Sequence, residues 1–158
     1  MSFDKKAFMK TQFEPRVESV PVPDLKLFFS DGTEPLWKVR NLTGHELGKV
    51  NEAAERNKAI ASIMDGIMST DAKDKVDAIK AAIGLDDTTP TDIVRRQEML
   101  VIASVDPVVD KEFSVKLCMH YPVEFFQLTQ AITKLTGQGA EVKKKPANST
   151  VTPESGTP

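Results

Sequence analysis

Cysteine is nearly missing from this chain: Cys118 stands alone, so no intramolecular disulfide can form. A reducing compartment is the natural setting. The Asn-x-Ser/Thr triplets at Asn41 and Asn148 are then chance matches, since glycosylation requires secretion. Long apolar runs are also missing. No stretch approaches the roughly 18 residues a membrane span needs, and Met1 to Met9 is too charged for a signal peptide. Aromatic residues are scarce at 6%, mostly Phe, and charge of one sign is lacking, with a formal balance of −2. No overall field therefore draws the chain to nucleic acid or an anionic membrane. What is there is ordinary: 158 residues, 40% hydrophobic and 28% charged, describe a soluble globular protein with room for one core.

The patterning predicts a mainly α fold. It is a compact bundle of about five helices in one domain over 1–137, with residues 1–42 as a mixed segment packed on it. Ser2 is placed to cap a short helix from Asp4 to Lys10. Val17 to Val22 lies among Pro15, Pro21 and Pro23, a density that allows an edge strand at most. Leu36 to Leu42 alternates as a second strand, which completes a small antiparallel ribbon. Thr43-Gly44-His45-Glu46 fits a capping box, in which each end residue satisfies the other's amide. A helix then runs to about Met68, with Leu47, Val50, Ala54, Ala61, Met64 and Met68 on one stripe. Asn57 falls inside that stripe, either as a core amide or as a polar contact for a partner. A further helix, capped at Ser69 or Thr70, stops at Gly84. Another opens at Pro90 with Ile93, Gln97, Leu100 and Val101 inward. Asp110 to Met119 is next, and Pro122 starts the last helix, whose stripe is Phe125, Leu128, Ile132 and Leu135 and whose carboxyl cap is Gly137. Residues 138–158 lack apolar periodicity and are expected to form a disordered tail.

Candidate chemistry is thin. Cys118 and His120 supply two metal ligands, His45 is the only other His, and two ligands do not close a site. As a catalytic dyad the pair fails on a helix, where neighbours two apart point about 200° from each other. Gly44 to Val50 is one residue short of a phosphate loop and has Val where Ser or Thr must reach magnesium. Asp71/Asp74 and Asp86/Asp87 sit at helix starts or in loops and do not form a calcium loop. A helix-turn-helix reading leaves Arg95 and Arg96 as the only basic residues on its recognition helix, thin cover for phosphate contacts. The expectation is therefore a binding protein with no catalytic residue, cofactor or metal.

The last predicted helix has apolar residues on two faces. Phe126 lies about 140° from the centre of the inner stripe. Val123 is on the same side, among Gln127, Gln130 and Lys134. Either another helix covers Phe126, or Val123, Phe126 and Gln130 form a partner-binding strip. Met64, Met68, Met99 and Met119 are core residues or an adaptable surface.

Several segments in order carry a family likeness: Phe13-Glu14-Pro15-Arg16, Val20 to Leu25, Trp37 to Leu47, Asn51 to Arg56, Tyr121 to Phe126 and Leu135 to Gly139. Over roughly Ser2 to Gly139 the chain resembles tail assembly chaperones of long-tailed, siphophage-like bacteriophages and prophages. The resemblance implies a protein that binds and solubilises the tape-measure protein by covering its amphipathic helices, before tail tube protein polymerises around it. It implies several copies along one partner or a homo-oligomer, a place in the host cytoplasm, and absence from the mature virion. Such genes often yield a longer product by frameshifting. Lys143-Lys144-Lys145 is either the trace of a slippery codon run or a solvated lysine run. The alternatives are a structural minor tail component, such as a completion or connector protein, and a small DNA-binding regulator.

Overall fold

Trp37, Val39 and Asn41 are the buried half of the expected alternation, and the backbone around them forms the centre of the molecule. In a computed structural model, which describes residues 2–68 and 89–144, Leu36–Arg40 is the middle strand of a three-stranded antiparallel sheet. We label the strands β1 (Phe13–Glu14), β2 (Val17–Pro21), β3 (Leu36–Arg40), β4 (Ser104–Asp106) and β5 (Glu141–Val142). The helices are α1 (Lys5–Lys10), α2 (Gly44–Met68), α3 (Thr91–Ala103), α4 (Lys111–His120) and α5 (Pro122–Gln138). The mainly helical class is as expected, and β2 is indeed an edge strand, paired only with β3 and ending at Pro21. The third strand, β4, was not foreseen.

Helix α5 organises the core. Phe125, Leu128, Ile132 and Leu135 are all buried, as their spacing predicts, and α5 packs against α3, α4, β2 and β3. The buried polar groups are joined across elements. The Trp37 indole donates to Ser104 Oγ at 3.1 Å, Ser114 Oγ donates to the Gln97 carbonyl at 2.9 Å, and Thr136 Oγ1 accepts from the Leu42 amide at 3.0 Å. The capping box forms as expected: the Thr43 amide donates to Glu46 Oε2 at 2.9 Å and the Glu46 amide to Thr43 Oγ1 at 3.2 Å. Asp110 caps α4 by accepting from the Phe113 amide at 2.8 Å.

Several expectations are corrected. The first helix is capped by Asp4, which accepts from the Ala7 amide, and not by Ser2. Gly137 lies within α5, and the cap falls at Gly139, whose φ of +75° suits glycine. On α2, Val50 and Ala54 are buried, but Leu47 is exposed and Asn57 only half-buried. On α3 the inward residues are Val94, Gln97, Leu100 and Ala103, with Ile93 and Val101 half-buried beside them. Gln138 to Lys144 are not a free tail. β5 pairs with β1, the Lys143 amide donates to the Gln12 carbonyl at 2.8 Å, and Arg16 holds both the Gly139 carbonyl and Glu141 at 3.0 Å. The expected helix ending at Gly84, the tail beyond Lys144, and the side chains of Ala61, Met64 and Met68 lie outside the described residues.

Candidate functional site: an aromatic cleft

Between β2 and β3 the chain makes a 3-10 turn, Pro23–Phe28, opened by Pro23 at its first position. The turn sends Leu25 into the core and leaves Phe28 69% exposed. The following loop reverses at Gly32, with φ +78°, and returns into Leu36. Opposite stands α4, which places Phe113 at the surface and Leu117 below it. The end of β4, at Asp106-Pro107, closes one side.

These segments enclose an open cleft of about 1040 Å³. Leu25, Trp37 and Leu117 are its buried floor. Its walls are aromatic pairs. Phe28 meets Tyr121 edge-on with centroids 6.3 Å apart, and Phe113 leans on Trp37 at 5.9 Å. Ser30, Thr33, Glu34, Asp106, Lys116 and His120 stand around this apolar interior. The Trp37 N–H is satisfied inside the protein by Ser104, so binding an apolar group over the ring strands no donor. An apolar centre with a polar rim is the anatomy of a protein-binding patch.

The predicted strip lies elsewhere. Val123 is exposed, Gln130 is exposed, and Phe126 is half-buried against the core. Its ring sits edge-on to Phe125 at 5.6 Å, and the Arg96 guanidinium lies 4.8 Å from its centroid. Arg96 is itself fixed by Asp92 at 2.9 Å and Thr129 at 2.8 Å. A neighbouring helix thus covers much of Phe126 through one arginine. The same contacts turn Arg96 inward, away from the DNA-reading role weighed for α3.

Val123 instead borders a second hollow of about 450 Å³, with Val20, Pro21, Asp24, Glu124 and Gln127. Glu124 is buried in the first turn of α5. Burial, and next its hydrogen bond with Asp24, raise its pKa above the usual carboxylate range. The folded pKa therefore exceeds the unfolded one. Stability from this carboxyl is fullest at low pH and falls as pH rises past the unfolded value near 4.5. Glu124→Gln should raise the melting temperature by a few degrees at pH 8 and change it little at pH 4. Equal shifts at both pH values would show that ionisation is not the cause.

Among the described residues, no group of three His, Cys, Asp or Glu side chains gathers to hold a metal ion. No helix among them is long and apolar enough to cross a membrane. Cys118 and His120 both lie on helical α4, so the condition that separates them is met. Burial raises the Cys118 thiol pKa, the opposite of what an activated nucleophile needs. Met99 packs on the core, and Met119 is exposed.

The arrangement defines a mainly helical protein with an open, aromatic-walled cleft. Comparison with family models, with curated proteins and with solved structures finds no match to the chain.

Proposed function

We propose that this protein is a helix-binding assembly chaperone of the phage-tail kind, which receives the apolar stripe of a tape-measure protein in the Phe28–Phe113 cleft. The observation that carries the proposal is the cleft itself: Phe28 and Phe113 stay exposed although each has an aromatic neighbour that would help bury it. An amphipathic helix repeats its anchors every three or four residues, about 5 Å along its axis. Two aromatic walls over an apolar floor accept such anchors without demanding one side-chain shape. The polar rim then meets the outer edges of the stripe. No bond is made or broken in this activity.

The order of motifs resembling tail assembly chaperones supplies the partner. A long helical polypeptide would be held by many copies, each bound weakly, and released as tail tube protein replaces them. The work belongs to the host cytoplasm and leaves no copy in the mature particle. Co-expression with the tape-measure protein tests the proposal. The expected result is a soluble complex that co-purifies, with insoluble tape-measure protein when this chain is omitted. A tape-measure protein that remains soluble alone and never co-purifies would remove the proposal, and recovery of this chain in purified virions would favour a structural tail component.

A further inference from the structure

The amino-terminal arm carries a helix that buries nothing of its own. None of the residues of α1 is buried; Phe3 is 77% exposed and Met9 72%. Phe3, Phe8 and Phe13 nevertheless lean on one another in a row, tilted, with centroids 5.7 Å and 5.3 Å apart. The arm is thus an ordered apolar plug attached to the body by the short β1–β5 ribbon.

We infer that this arm docks in the aromatic cleft of a second copy of the chain. The register of β2 on β3 holds the arm away from the cleft of its own molecule. Val17, next to the arm, pairs with Arg40, whereas Pro21 pairs with Leu36 at the border of the cleft. Arm and cleft therefore sit at opposite ends of a ladder ~13 Å long, at ~3.3 Å per residue. To reach its own cleft the arm would have to leave the ribbon that orders it.

Charge matches the two surfaces. Residues 3–13 carry Lys5, Lys6 and Lys10 against Asp4, a balance of +2 in a chain of −2, so the remainder carries −4. Glu34 and Asp106 face the incoming lysines at the cleft, opposed there by Lys116. The contact is also of modest size. Three phenyl rings and one Met cover roughly 150–250 Å² per aromatic side chain, below the area of a standard stable complex. The association is reversible and dilution separates it. Because plug and socket lie at opposite ends, each copy gives an arm to one neighbour and accepts one from another, which builds a row or a ring.

Sedimentation velocity on the full chain tests this. The wild type should grow past dimer as concentration rises from micromolar to millimolar. Phe8→Asp spoils the arm and Phe28→Asp spoils the cleft, both at exposed positions, and each variant alone should remain monomeric. Their mixture should form a one-to-one dimer and nothing larger, because one good arm and one good cleft remain. A wild type that stays monomeric throughout, single variants that associate like the wild type, or a mixture that stays monomeric would each overturn the inference. The cleft is shared with the function proposed above, but the two fail separately. Phe8→Asp keeps the cleft, so it still captures a partner helix where self-association is lost.

Discussion

Replacing Arg40 with methionine should cost the fold about 3 kcal/mol at neutral pH, judged from charge-assisted hydrogen bonds of ~1.5–3 kcal/mol each, discounted for partial exposure. The guanidinium is held at one junction by three segments. Its two terminal nitrogens meet the two Glu46 oxygens at 2.9 Å and 2.8 Å, and the same nitrogens donate to the Asn41 and Ile102 carbonyls at 3.0 Å. The end of β3, the first turn of α2 and the last turn of α3 are thereby tied together. Methionine keeps much of the stem and removes every donor. It leaves Glu46 with only its capping contact to Thr43.

The same pair predicts an acid limb. The Arg40 hydrogen bonds lower the Glu46 pKa from 4.5 to about 2, with the Thr43 amide adding to the effect. A depressed carboxyl contributes its stability above the unfolded pKa and loses it as pH falls toward the folded one. The window is therefore about pH 4.5 down to about 2. Urea unfolding at pH 7 and at pH 3 should show the wild type losing more stability than Arg40→Met over that interval. Parallel losses in the two proteins would mean that the pair does not hold the junction.

What was legible along the chain is what neighbouring residues decide by themselves. Thr43 and Glu46 lie three apart, and their reciprocal bonds need no distant partner. The α5 stripe likewise reports a face that must be buried somewhere, whatever buries it. The inner face of α3 was harder, because Ile93 and Val101 look better suited to a core than Ala103. Burial followed the space available, and Ala103 is fully covered while the larger residues lie at the margin. The carboxyl end misled for a different reason. Around Glu141 the alternation Ala140-Glu141-Val142-Lys143 is too short to announce a strand, but the Glu141 backbone pairs with Glu14 and its carboxylate with Arg16, 125 residues away. The cleft is of the same non-local kind. Phe28, Trp37, Phe113 and Tyr121 come from a turn, a strand, a helix and a helix cap. No local window contains more than two of them.

On the function proposed above, the largest effect is expected in that cleft, where Phe28→Asp and Phe113→Asp should each weaken binding of the proposed amphipathic partner helix about 100-fold. That is about 2.7 kcal/mol, the scale of an aromatic anchor at an interface centre. A carboxylate placed among Leu25, Trp37 and Leu117 must give up water when a helix covers it, and Lys116 at the polar rim offsets only part of that cost. Phe28 is the cleaner position, because its ring is mostly exposed and its loss removes little from the fold. Phe113 also rests on Trp37, so its variant should unfold at slightly lower urea. Titration of the helix into each variant, followed by Trp37 fluorescence or calorimetry, measures the change. Phe126→Ala combined with Val123→Ala supplies the opposing surface. Phe126 already spends its outer face on Arg96, and exposed Val123 and Gln130 add one small apolar group and one amide. That pair of substitutions should alter affinity less than about threefold, within the range of contacts at an interface edge. A reversal of the two results would move the partner from the aromatic walls to the outer strip of α5, and the wall aromatics would then have no role in holding a helix.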